Sequence, residues 1–256
     1  MKGYIFDLDG TVYLGDTMIE GAALAISQLR ARGDKVVFLS NKPIAPRISY
    51  AEKLTRMGIP TSIHDVLNSS LIVARYLQKH LKQGQHVYVV GEEPICEELR
   101  LHGVPLTVEG HKTDYVVLSW DRSFNYDTLN FVYQAVLRGA IVIASNPDST
   151  CPLEDGTLPD TGTFIAALEA ATGRPVDLVV GKPSPIAAEA ALQHIGLDSS
   201  NCFMIGDRLE TDIKMGNDAG MSSVLVLTGI STREMAQNDV CRPKYIIPSI
   251  KDIIYL

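Results

Sequence analysis

Seven polar residues stand where apolar runs of this chain stop. The run "YIF" stops at Asp7, with Asp9 two residues on and Gly10 and Thr11 directly after it. "KVVFL" stops at Ser40 and Asn41, "DLVVG" at Lys182, and "CFMIG" at Asp207, with Asp212 five residues later. Carboxylates offer oxygen ligands, a hydroxyl and a carboxamide offer hydrogen-bond donors, and a lysine offers fixed positive charge. A single Mg2+ ion takes one or two carboxylates and completes its shell with water and substrate phosphate, so the set suits a metal-assisted phosphate site. The acids themselves call for a cation, because a phosphate dianion would otherwise meet several charges of its own sign.

Taken singly, these residues have other readings. A DxDG stretch could open a calcium loop, but an EF-hand needs glycine at its sixth position and glutamate at its twelfth. Counted from Asp7, those positions are Val12 and Met18. A solvated turn with two incidental acids is the other alternative, against which stand the apolar flanks "YIF" and "TVY". Ser40 and Asn41 alone suit a turn or a helix cap. Gly181-Lys182 lacks the P-loop form: seven residues separate Gly173 from Gly181 and Pro183 follows the lysine, where that motif has four residues and then Ser or Thr. The "PSP" after Lys182 reads as a helix start with proline in the first turn. Asp207 and Asp212 could cap the next helix, a role compatible with metal binding. No GxGxxG follows the first strand, no GxSxG occurs, and the six histidines form no HExxH.

Such residues need a scaffold that brings strand ends together. Short β-branched runs alternate with amphipathic stretches: "YIFDLD", "GAALAISQLRARG", "KVVFLSN", "RISYAEKLTRMG" and onward to "SSVLVLTG". That alternation predicts βαβ units on a parallel sheet, where ligands bind beyond the carboxyl ends of the strands. Gly33 and Gly58 close two of the helices, as the left-handed position at a helix end favours. The fold class is therefore α/β, a Rossmann-like parallel sheet with helices on both faces. The middle of the chain carries its own strand-helix series between about Gln83 and Val176, which predicts an inserted, smaller α/β domain. The expected division is a core of residues 1–79 and 178–256 and an insert of residues 80–177. Asn146 to Gly162, "NPDSTCPLEDGTLPDTG", is the longest stretch with turn chemistry and no periodicity; loops of that length are either functional or plain surface.

Composition excludes several classes. With 30 acids against 23 bases the formal charge is -7, and no basic cluster suggests contact with nucleic-acid phosphates. Four scattered cysteines without a CxxC pair indicate neither a zinc site nor a disulfide framework. No stretch approaches the length of a membrane span and no apolar leader precedes Asp7. A cytoplasmic protein without membrane contact is the expectation.

"DLDGTVY", "LSN", "GKPSP" and "GDRLETD", in that order, resemble the four signature motifs of the haloacid dehalogenase-like phosphatases. The finer resemblance is to the NagD-like subgroup, on "GKPSP", on "ASNPD" and on the gap of about 140 residues between Asn41 and Lys182. In that subgroup a large α/β cap lies between the second and third motifs. The resemblance implies a phosphomonoester hydrolase acting on small phosphorylated metabolites, such as sugar phosphates or nucleotides, through an aspartyl-phosphate. Asp7 would be the nucleophile and Asp9 the acid and base. Mg2+ would be held by the carboxylates of Asp7 and Asp207 and the backbone carbonyl of Asp9. Ser40, Asn41 and Lys182 would bind the phosphoryl group, and Asp212 would orient Lys182 or a metal-bound water.

The cap would set substrate choice, with Trp120, Asp121, Arg122 and the 146–162 loop as candidates, and its acidic "PLEDG" tract would disfavour a highly anionic leaving group if it faced the site. An apolar cap surface could support a homodimer. Two alternatives share the core. A phosphotransferase or mutase usually carries a helical cap between the first two motifs, for which the segment from Asp9 to Ser40 is short. A non-catalytic phosphometabolite-binding protein would show degraded motifs, and none here is degraded.

Overall fold

The computed structural model describes residues 1–108, 112–153 and 156–256. The chain divides into two compact units. The first comprises Met1–Ser40, Arg47–Leu67 and Lys182–Leu256, and the second comprises Asn41–Pro46 and Asn68–Gly181. Besides Asn41–Pro46, the second unit takes in, ahead of the expected start at residue 80, the helix Ser69–His80, which packs on the helix Glu93–Leu101.

Among the described residues, the first unit is built on a six-stranded sheet. Its spatial order is Tyr245–Ile247, Ser222–Val226, Cys202–Gly206, Gly3–Phe6, Lys35–Ser40 and Val66–Asn68. Gly3–Phe6 is parallel to both neighbours, with Phe6 opposite Phe38 on one side and Ile205 on the other. This register sends Asp7, Ser40 and Asp207 off the same carboxyl edge. Helices cover both faces, so a central strand must be apolar on both sides, and Tyr4, Ile5 and Phe6 are completely buried. Each such side chain contributes about 1.5–3 kcal/mol by leaving water. The Tyr4 ring also stacks on Phe203, with centroids 5.0 Å apart.

The helices of this unit follow from simple local rules. In Ala22–Ala31 the buried positions Ala22, Ala25, Ile26 and Leu29 form one stripe at helical spacing, which meets the strand Lys35–Ser40 and the C-terminal turn Ile250–Tyr255. Pro185–Ile195 starts with proline at its first position, and the Ser184 hydroxyl accepts the Ile186 N–H at 3.1 Å. It stops at Gly196, whose φ of +65° suits a residue without Cβ.

The second unit has a parallel sheet of its own, four-stranded among the described residues, in the order Leu178–Val179, Ile141–Ala144, Tyr115–Leu118, Val87–Val90. Val116, Leu118, Val142 and Ala144 pack against Val132 and Leu168 of the helices Tyr126–Leu137 and Thr161–Thr172. Ser69–His80 is capped by Asn68, whose side chain accepts the Leu71 N–H at 3.0 Å. Among the described residues no helix is long and apolar enough to cross a membrane.

Candidate active site

The carboxyl edge of the first sheet concentrates charge. Asp7 still belongs to the ladder, since its N–H donates to Ile205 O at 2.8 Å, and its side chain is nine-tenths buried. Lys182, 2% exposed, comes from the segment just before the helix Pro185–Ile195. Its Nζ donates to Asp7 Oδ1 at 2.5 Å and to Asp212 Oδ1 at 2.6 Å. Asp212 sits on a π-helical turn, Leu209–Ile213, and its Oδ2 accepts the Arg208 N–H at 3.1 Å. The turn folds back so tightly that a Cβ on Gly206 would lie 2.2 Å from Asp212 Cγ. Glycine is therefore required at the last residue of that strand.

Asp207 follows directly and is buried, with Oδ2 accepting the Ile230 N–H at 2.7 Å. Asp9 is half-buried and forms an isolated backbone bridge with Tyr13. Gly10, at φ +84°, then turns the chain off the sheet and donates its N–H to Tyr13 O at 2.7 Å. Ser40 is buried at the end of its strand.

Of the expected site residues, Asp7, Lys182, Asp207 and Asp212 are thus brought together. Asn41 belongs to the second unit. There its Nδ2 donates to Asp148 Oδ2 at 2.9 Å, while its carbonyl accepts from the Ser69 hydroxyl at 2.7 Å and the Asn146 amide at 3.3 Å.

Burial and mutual repulsion set the electrostatics. Burial, opposed by Lys182 and reinforced by Asp212, pushes the Asp7 carboxyl up to about 6. Burial, reinforced by Asp7 and Asp212, pushes Asp207 up to about 7 against the pull of the Ile230 N–H. For Lys182 burial works against the ammonium, but Asp212 and Asp7 outweigh it and hold the group above its ordinary value. Ligand oxygens of Asp7, Asp207 and Asp212 lie within 4.8 Å of one another. An all-oxygen donor set of this size fits a hard divalent cation, whose charge would relieve the repulsion that raises the two carboxyls.

The residues expected to choose substrate are engaged inside the second unit. Arg122 makes a two-pronged ion pair with Glu92, Nε to Oε1 at 2.6 Å and Nη2 to Oε2 at 2.9 Å. Asp121 Oδ1 accepts the N–H and hydroxyl of Ser123 at 2.8 and 2.6 Å, closing a turn. Trp120 is buried. In the 146–162 loop, Asn146 is fully buried and Asp160 caps the helix Thr161–Thr172. The acids Glu154 and Asp155 of the "PLEDG" tract lie outside the described residues.

The chain is similar to known proteins over nearly its whole length. Residues 4–105 match a family model described as haloacid dehalogenase-like hydrolase, and residues 179–253 match one described as HAD-hydrolase-like. Over 254 residues the chain is 42% identical to the sugar-phosphatase AraL of Bacillus subtilis, a match covering 99% of this chain and 92% of that protein. A p-nitrophenyl phosphatase structure from Archaeoglobus fulgidus superposes with a TM-score of 0.93 at 36% identity, covering 99% of this chain and 98% of that one. NagD from E. coli K-12 superposes with a TM-score of 0.90 at 30% identity, covering 98% of each chain. The chain belongs to the haloacid dehalogenase-like hydrolases. Within them it is a phosphatase of the NagD-like subgroup.

Proposed function

We propose that this chain is a Mg2+-dependent phosphomonoester hydrolase of small phosphorylated metabolites, working through a phosphorylated Asp7. Sugar phosphates are the foremost substrate class, on the strength of the 42% identity to a sugar-phosphatase over nearly the whole chain, and nucleotides are the second. The observation that carries the reading is the buried Lys182 bridging Asp7 and Asp212 beside Asp207. The first unit acts as catalytic core and the inserted unit as the cap that selects the alcohol.

In this reading an oxygen of Asp7 attacks phosphorus, forming an acyl phosphate as the bond to the departing alcohol oxygen breaks. Asp9 protonates that oxygen and then takes a proton from the water that hydrolyses the acyl phosphate. The Ser40 hydroxyl and the Asn41 carboxamide donate to the phosphoryl oxygens, and Lys182 neutralises charge on Asp7 and on the group in transfer. Its ion pair at Oδ1 also limits rotation of the Asp7 carboxylate, and Asp212 holds the ammonium in place. The cation, held by the Asp7 and Asp207 carboxylates and the Asp9 carbonyl, supplies the positive charge that lets a phosphate dianion approach an acidic site. Four free thiols among the described residues are in keeping with a reducing cytoplasm.

The test is release of phosphate from an aryl phosphate and from a panel of sugar phosphates and nucleotides. Native protein loses turnover in excess chelator and regains it with Mg2+, and Asp7→Asn is inactive. Substantial turnover by Asp7→Asn would overturn the nucleophile assignment.

A further inference from the structure

Asp207 is held by a turn that contains no acid, base or metal ligand of its own. The segment Thr228–Ser231 follows the strand Ser222–Val226 and bonds to Asp207 at two points. Ile230 N–H donates to Asp207 Oδ2 at 2.7 Å, and Ser231 N–H donates to the Asp207 backbone carbonyl at 3.0 Å. Ser231, 2% exposed, is itself fixed, its hydroxyl accepting the Leu209 N–H at 3.2 Å. The Thr228 hydroxyl donates to Gly10 O at 2.6 Å, tying the turn to the residue that follows Asp9.

Space around the carboxylate is filled with equal care. A Cβ on Gly229 would lie 2.0 Å from Asp207 Oδ2, and one on Gly10 would lie 2.6 Å from the same atom. Two glycines from separate segments therefore press on one oxygen while a backbone N–H takes its lone pair. A carboxylate gripped in this way has little room to rotate about its Oδ2.

We propose that the Thr228–Ser231 turn is a positioning element for the divalent-cation site, with Gly229 and Thr228 as the residues that fix the Asp207 carboxylate. The inference rests on the cation reading of the previous subsection. Its logic is that of partners behind metal ligands generally: they lock ligand orientation, and their loss typically costs about 10–100-fold in metal affinity. Gly229→Ala puts a methyl group where Oδ2 stands and so rotates or displaces the carboxylate. Thr228→Val removes the tie to Gly10 O while adding no bulk.

The test titrates Mg2+ alone, without substrate, and follows the rise in thermal unfolding midpoint that ligand binding to the native state produces. Asp207→Asn serves as the control that removes the ligand itself. Gly229→Ala is expected to require about tenfold or more additional Mg2+ for the same rise, and Thr228→Val several-fold more. Should Gly229→Ala fail to fold, Thr228→Val decides the matter. Native Mg2+ dependence in both variants, with dependence lost in Asp207→Asn, overturns the role of the turn and leaves the cation reading standing. If Mg2+ raises the midpoint of none of the proteins, the native chain included, both fall.

Discussion

Lys182→Met tests the site as a piece of folding physics, apart from turnover. The ammonium is 2% exposed and sits 2.5 Å from Asp7 Oδ1 and 2.6 Å from Asp212 Oδ1. Replacing it with an apolar chain of similar length leaves two buried carboxylates without their cation. Breaking a buried pair from one side costs about 3–5 kcal/mol, a large share of the 5–15 kcal/mol that holds an ordinary domain folded. The loss depends on pH. Burial already pushes Asp7 to about 6 and Asp207 to about 7, so in the metal-free protein these carboxyls bind protons more tightly folded than unfolded. Stability gained from those protons is present at low pH and is lost as pH rises through about 6 to 7. Lys182→Met removes the charge that opposes this, so the variant suffers most above neutrality and least near pH 5. Trp120, the single tryptophan, lies in the second unit and would under-report the change. Native-state amide exchange in Gly3–Phe6, measured in chelator at several pH values, reads the right unit. The double variant Lys182→Met/Asp212→Asn should recover part of the loss, because one stranded carboxylate is gone. A single variant within about 1 kcal/mol of native at pH 8, with no pH trend, would refute the reasoning.

Two further substitutions separate the units. In the second, Asp148→Ala removes the acceptor that fixes the Asn41 carboxamide, the group proposed to donate to phosphate. Inorganic phosphate should then inhibit about tenfold more weakly, the equivalent of ~1.4 kcal/mol, with unfolding of the protein little changed. In the first, Ser184→Ala deletes the cap on the Ile186 N–H and should cost about 1 kcal/mol in amide-exchange stability of the helix Pro185–Ile195. An unchanged exchange pattern there would show that Pro185 alone sets the helix start.

The clustering of the candidate site residues was legible because a parallel sheet sorts its sequence in an unusual way. A strand covered on both faces must be apolar throughout, as Tyr4-Ile5-Phe6 is, so polarity is driven to the strand ends, and the ends on one edge share one site. Asp7, Ser40 and Asp207 could therefore be placed together with no contact information. The sheet a helix joins is not encoded that way. Ser69–His80 has an ordinary amphipathic pattern, which states that one face is buried but not against what, and its grouping with the second unit came from the helix Glu93–Leu101 packed on it. Arg122 and Asp121 looked available for a substrate because charge is visible in sequence and its neutralisation is not; Glu92, 30 residues away, already holds the guanidinium. Gly229 was harder still. A glycine needed for a turn announces itself through its neighbours, as Gly10 does between Asp9 and Thr11. A glycine needed because another residue's carboxylate occupies the space of its Cβ has no local mark at all. At Gly229 and Gly206 that occupant is a site aspartate, so the part of the site that escapes sequence reading is the empty volume that fixes the acids which sequence reading finds.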